Sequence, residues 1–318
     1  MNDAGDAKLR LERDLKNLIG GKWVDSDQKI AVTNPYTNEV VGTVPHMSLD
    51  QVKKAIDAIY EYEPTLTAYE RSEILKGAAA EITARKDELA YGISLESGMS
   101  IKDSTKEVGR GVDLINVAAE EAKRIMGEQL PSDVDSSGAD KFIMAMRCPV
   151  GVVSAIVPFN RPMNQVVVKV APSFAAGNKT IIKPTERTPM SAIRFVQILL
   201  NNGMPPEMIS IVTGKSSEIG DELVSSQKID MVTFTGSTEV GRKLTNMAGI
   251  KKLTMELGGN DPLIVLEDGD LDKAAKLAVA GAYGNAGQAC RGVKRILVIH
   301  SVADAFAEKL KAETEKIK

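Results

Sequence analysis

Two stretches of this chain place residues suited to covalent and acid–base chemistry. In residues 284–295, GNAGQACRGVKR, Cys290 follows small residues and precedes the cations Arg291, Lys294 and Arg295. A thiolate there could attack a carbonyl carbon, although free cysteine is also among the most frequently buried residue types. In residues 253–260, LTMELGGN, Glu256 ends an alternating run just before Gly258 and Gly259, whose missing side chains let backbone approach a ligand closely. Its carboxylate suits a general base toward water, or a plain edge-strand glutamate in solvent.

Three further stretches suit ligand binding. In SAIVPFNRPMNQ, residues 154–165, Asn160 offers an amide donor for an oxyanion and Arg161 a cation at the mouth of a sheet; the same residues suit an ordinary turn. In IIKPTERTP, residues 181–189, Lys183 and Glu186 could hold the two hydroxyls of a ribose, or form a solvated ion pair of little energetic consequence. In DMVTFTGSTEVGRKL, residues 230–244, a strand runs into Gly236-Ser237-Thr238 and then a helix, which presents backbone N–H groups to a phosphate. The interval from Gly236 to Gly241 is not the GxGxxG fingerprint, so a plain strand–helix turn is the competing reading.

The elements that must position these residues are legible from periodicity. Residues 49–126 carry apolar residues at three- and four-residue spacing, which predicts helices. Residues 131–151 break that pattern with Pro, Ser, Asp and Gly and then alternate around Phe142 to Met146, which predicts a surface loop entering a strand or hairpin. From Val150, the runs GVVSAIV, KTIIK, ISIV, DMVTFT, KKLTME, PLIVL and RILVI alternate with helical stretches, the mark of a parallel sheet with crossover helices. Thr188 and Pro189 predict an N-cap and first-turn proline for a helix that ends before Gly203. Leu271, Ala274, Ala275 and Ala278 share one face of the helix before Cys290, which falls beyond that stripe. The fold class is α/β.

Bulk properties narrow the partners. A chain of 318 residues predicts about two domains, and a net charge of −3 gives no general affinity for nucleic acid. The N-terminus lacks the apolar core of a signal peptide, and the longest apolar run, VGVVSAIVPF, is well short of the ~20 residues of a membrane helix, so a cytoplasmic protein without membrane partners is expected. Cys148 and Cys290, with His46 and His300, supply no disulfide framework, no metal set and no evident Cys–His dyad. A cysteine hydrolase is disfavoured for want of that histidine.

Taken in order, PFN, KPTE, FTGSTEVG, MELGGN and GQAC resemble the aldehyde dehydrogenase superfamily, and IGGKWV near residue 19 and ESGM at 96 are similar to its N-terminal landmarks. The resemblance implies a Rossmann-like doubly wound parallel sheet for the cofactor and the start of a second α/β, catalytic domain. Residues 1–128 and 148–257 would form the NAD(P)-binding domain, 129–147 an oligomerisation hairpin and 258–318 an incomplete catalytic domain. It implies Cys290 as nucleophile, Glu256 as general base, and Asn160 with the Cys290 backbone N–H as the oxyanion site. Lys183 and Glu186 would meet the adenosine ribose, and Gly236 and Ser237 the pyrophosphate, with Ile156, Pro158, Phe159, Thr185, Gly214, Phe234, Val240, Gly241 and Leu257 completing the cofactor site. Glu186 resembles NAD-preferring members, because a carboxylate repels a 2′-phosphate; NADP is the alternative cofactor.

Within the superfamily, VGRGVDLINVAAEEAKR, PFNRPMNQVVVKVAPS and the VKR after the cysteine resemble the branch of phosphonoacetaldehyde and lactaldehyde dehydrogenases. That likeness implies Arg110, Arg161 and Arg291 as candidate substrate residues and a small anionic aldehyde as substrate, since arginine grips phosphonate, sulfonate or carboxylate bidentately. The chain departs from phosphonoacetaldehyde enzymes at Arg161, where they tend to have histidine, and at Ala289, where they tend to have arginine. The family's dimers and tetramers imply self-association. Because family members continue well beyond the position of Lys318, the alternative expectation is a truncated, non-catalytic nucleotide-binding fragment.

Overall fold

The structure, a computed structural model, describes residues 11–317. Residues 1–10, on which the signal-peptide reading and the start of the expected 1–128 segment fall, and Lys318 lie outside the described residues. The chain forms two compact units. The first runs to Thr235 and takes in Arg242–Met255; the second comprises Gly236–Gly241 and the chain from Glu256 onward.

The first unit opens with β1 (Asn17–Ile19), β2 (Lys22–Val24), β3 (Lys29–Thr33) and β4 (Val40–Pro45). The expected helices then follow as Leu49–Glu61, Ala68–Ala84, Lys86–Ser97 and Ile101–Glu121. Ser48 with Gln51 and Thr67 with Glu70 form capping boxes that start the first two of these. A hairpin of β5 (Glu128–Leu130) and β6 (Ile143–Ala145) comes next, with Leu130, Phe142, Ile143, Met144 and Met146 all exposed.

The runs after Val150 become β7 (Val152–Ile156), β8 (Lys179–Lys183), β9 (Ile209–Ile211), β10 (Met231–Thr235) and β11 (Lys252–Glu256). They lie in one seven-stranded sheet of order β11-β10-β7-β8-β9-β1-β2. Its centre, β10-β7-β8-β9, is parallel, while β1 and β2 extend one edge antiparallel. The chain winds from β7 outward to β9 and returns to β10 on the other side of β7. That reversal falls between the carboxyl ends of β7 and β10, the usual ligand position in such sheets. The sheet residues and the helices Asn164–Ala175 and Met190–Asn201 share a core containing Phe174, Ile182, Phe195 and Ile211.

Helix Met190–Asn201 departs from the expected capping. Pro189 takes the N-cap place and Thr188 contributes no cap; its hydroxyl turns to the Phe159 carbonyl at 3.4 Å. The acceptor is the buried Glu96 carboxylate, which takes the Met190 and Ser191 N–H groups at 2.7 and 2.8 Å. Tertiary packing thus supplies the anion that a local serine or threonine usually provides. Gly203 follows the helix in a left-handed conformation, φ 95°, as a terminating glycine should.

In the second unit, β12 (Asp261–Val265) and β13 (Val293–Val298) pair in parallel, with a shift of register between Asp261 and Pro262. Helix Leu271–Tyr283, capped by Asp270, and helix Ala303–Thr314 pack on them through Ala275, Ala278 and Phe306. Among the described residues no helix is long and apolar enough to cross a membrane.

Candidate active site

In the first unit, the carboxyl ends of the parallel strands carry the expected cofactor residues. Ile156 closes β7, and Pro158, Phe159 and Asn160 follow it, all half-buried. Lys183 closes β8, only 1% exposed, with its ammonium donating to the Pro184 carbonyl at 3.1 Å and to Glu186 at 3.5 Å. Glu186 is also held by Ser216, through its backbone N–H and its hydroxyl at 3.0 Å. Burial pushes the Lys183 ammonium below the ordinary lysine range, against the pull of Glu186. Burial also raises Glu186, but Lys183 and the Ser216 donors outweigh it and hold the carboxylate below its ordinary range. Thr185 sits half-buried between them, and the Arg187 guanidinium lies 5.0 Å from the centre of the Phe159 ring. Gly214 follows β9 at a point where a Cβ would meet Ile219 at 2.7 Å and the Met47 carbonyl at 3.2 Å. Phe234 is buried on β10.

The expected substrate cations behave differently from one another. Arg110 is exposed on helix Ile101–Glu121. Arg161 turns to the Met99 sulfur at 3.3 Å and lies 3.9 Å from Glu107. Glu107 is a buried carboxylate that sequence reasoning missed. It accepts the Met163 and Asn164 N–H groups at 3.0 and 3.1 Å, at the start of the helix after Asn160 and Arg161. Burial pushes it up to about 7, against those two donors and Arg161, and the charge of Glu96 adds to the rise. Its signal was present in the sequence, because Ser104, Glu107, Val108, Gly111 and Ile115 form one buried stripe with a charge in it. Cavities of about 640 Å³ beside His46 and Glu218 and about 700 Å³ beside Lys179 and Arg71 contain none of the expected site residues.

The second unit holds the Gly236–Ser237 turn and the expected nucleophile and base, Cys290 and Glu256. Ser237 accepts the Val240 N–H at 3.3 Å at the start of helix Thr238–Ala248, and its carbonyl takes the Gly241 N–H at 2.9 Å. The Gly236 N–H donates to the Glu256 carbonyl at 3.1 Å, and Leu257 packs where a Cβ on Gly241 would be 2.5 Å away. Glu256 and Cys290 are both exposed, so Cys290 is no packed core residue. Their two loops meet: a Cβ on Gly259 would stand 3.2 Å from the Cys290 carbonyl and 2.5 Å from the Asp261 carboxylate. Arg291 is exposed, while Lys294 reaches the Ala289 carbonyl at 3.0 Å and Arg295 the Asn260 carbonyl at 2.8 Å.

Comparison with known proteins decides the family. The model of the aldehyde dehydrogenase family matches residues 23–318. The chain belongs to that family. Among curated relatives, it is 38% identical over 300 residues to a 3-sulfolactaldehyde dehydrogenase of Priestia megaterium, covering 94% of this chain and 63% of the relative. It is 40% identical over 309 residues to the mitochondrial succinate-semialdehyde dehydrogenase of Arabidopsis thaliana, covering 95% and 58%. A crystal structure of NADP-dependent glyceraldehyde-3-phosphate dehydrogenase from Bacillus halodurans C-125, complexed with NADP, superposes with a TM-score of 0.91 at 36% identity, covering 96% and 66%. The chain therefore spans about three fifths of the length of these family relatives.

Proposed function

We propose that the protein oxidises a small anionic aldehyde to its carboxylic acid with NAD, or NADP as the alternative, through a thioester on Cys290. The observation that carries this reading is the loop pair of the second unit, where an exposed cysteine and an exposed glutamate flank the close approach of Gly259 to the Cys290 carbonyl. The Cys290 thiolate adds to the carbonyl carbon, and the oxyanion that forms takes hydrogen bonds from the Asn160 amide and the Cys290 N–H. The cofactor, when bound, supplies the acceptor for the hydride that leaves this adduct. Glu256 then takes a proton from the water that attacks the thioester, releasing the acid and the thiolate.

The residues present fit the cofactor. Lys183 and Glu186 are preset as a donor and an acceptor for a ribose diol at a sheet edge, and the Ser237-capped helix start suits a pyrophosphate. Glu186 favours NAD through repulsion of a 2′-phosphate; the NADP named with the B. halodurans structure supports the alternative. An anionic aldehyde is supported by the relatives' names, which specify sulfonate, carboxylate and phosphate substrates; Arg110, Arg161 and Arg291 remain the proposed cations for its far end. The exposed apolar residues of the β5–β6 hairpin support assembly into a dimer or tetramer.

A second reading, a nucleotide-binding fragment without turnover, draws on the chain spanning 63% of the sulfolactaldehyde relative's length. Aldehyde-dependent NADH formation separates the two. Turnover of succinate semialdehyde that disappears in Cys290→Ala is expected, and its persistence in that variant removes the cysteine mechanism. Equal kcat/KM for propanal and anionic aldehydes removes the charged-substrate reading.

A further inference from the structure

Two of the three cations behind Cys290, Lys294 and Arg295, are committed to backbone. Lys294 folds back across the turn, its ammonium donating to the Ala289 carbonyl at 3.0 Å and the Gly292 carbonyl at 3.4 Å. Gly292 is buried, and a Cβ there would stand 2.8 Å from that ammonium, so the clasp lies directly over this residue. On the other flank, Asn285, Ala286 and Gly287 are left-handed in succession, with φ of 54, 52 and 74°. Such a conformation at Asn285 and Ala286 persists only where the surroundings hold it. Arg295 donates twice to the Asn260 carbonyl, at 3.0 and 2.8 Å, which ties the start of β13 to the loop after Glu256.

We propose that Lys294 is a positioning residue for Cys290: docked on the Ala289 and Gly292 carbonyls, its ammonium holds the nucleophile's turn closed and fixes a positive charge one peptide unit away. The other charged groups on these elements are Arg291, exposed beside Cys290, Arg295, bound to Asn260, and the carboxylates of Glu256 and Asp261. The inference rests on the reading of Cys290 as nucleophile and adds a reason why the VKR motif follows it. Lysine serves here because its long stem lets one ammonium reach two carbonyls.

The test uses the full chain in a Cys148→Ser background, because Cys148 is also exposed. Alkylation of Cys290 by iodoacetate and by iodoacetamide, followed by intact mass, gives a ratio that reports positive charge beside the thiol and does not require turnover. Lys294→Met is expected to lower that ratio about fivefold, the factor one unit charge at about 4 Å supplies in water. Lys294→Arg is expected to restore it. Should Lys294→Met melt early, Lys294→Gln is read in its place with the same fall expected. An unchanged ratio in the neutral variant overturns the clasp. Retained turnover in Cys290→Ala would remove the nucleophile reading while leaving the alkylation comparison informative, so the two failures are distinguishable.

Discussion

The carboxyl edge of the seven-stranded sheet and the Cys290 turn both carry the polar groups proposed to meet a ligand, yet they hold them by opposite means. At the sheet edge the charges are buried: Lys183 is 1% exposed, and Glu96 and Glu107 cap helix starts from inside the core. At the turn everything reactive is exposed, and the order comes from exposed cations docked on carbonyls. Burial fixes geometry firmly and shifts ionisation, as at Lys183 and Glu107. A solvent-facing turn instead leaves a thiol and a carboxylate open to substrate and water. The first arrangement suits a cofactor platform, the second a site of bond making.

The largest way to break this contrast is Glu96→Ala. It would uncap Met190 and Ser191 and remove the strongest of the carboxylate charges acting on the buried Arg194. Loss of about 3–5 kcal/mol in urea unfolding is expected, and a change below about 1 kcal/mol would mean that the buried carboxylates are not what holds the edge. Asn160→Ala sharpens the functional side: a fall of about 10²–10³ in kcat is expected if its amide holds the oxyanion, read by stopped-flow hydride transfer.

Glu107→Gln tests the link between burial and ionisation. The folded value of about 7 lies above the ordinary 4.5, so its protonation stabilises the fold fully below about pH 4.5, and that stability drains away as pH rises toward 7. The slope amounts to at most about 3 kcal/mol. Urea midpoints from pH 5 to 8 are expected to flatten in the glutamine variant. The smallest effect belongs to Glu186→Ser, which removes a half-buried carboxylate. A shift of roughly tenfold in the ratio of NADP to NAD affinity, about 1.4 kcal/mol, is expected by calorimetric titration.

How legible each region was follows from the same difference. The strand runs from GVVSAIV to RILVI all appear as strands: in β7 to β10 two-sided burial writes continuous apolar segments into the sequence, while β11 to β13 mostly alternate exposed and less exposed residues. Thr188 misled because the anion that caps its helix comes from Glu96, 94 residues before Met190 and on another element. Glu107 escaped notice because a lone carboxylate on an apolar stripe carries no motif. The roles of Lys294 and Arg295 were open from sequence alone, since a cation after a cysteine can face ligand, solvent or backbone; the backbone carbonyls of Ala289, Gly292 and Asn260 take both.

The most direct test of the account is the acyl intermediate itself. Glu256→Gln protein incubated with NAD and succinate semialdehyde is expected to accumulate an acyl thioester, seen by intact mass and located on Cys290 by peptide mapping. Hydride transfer without any adduct on Cys290, or an adduct on Cys148 alone, would contradict it.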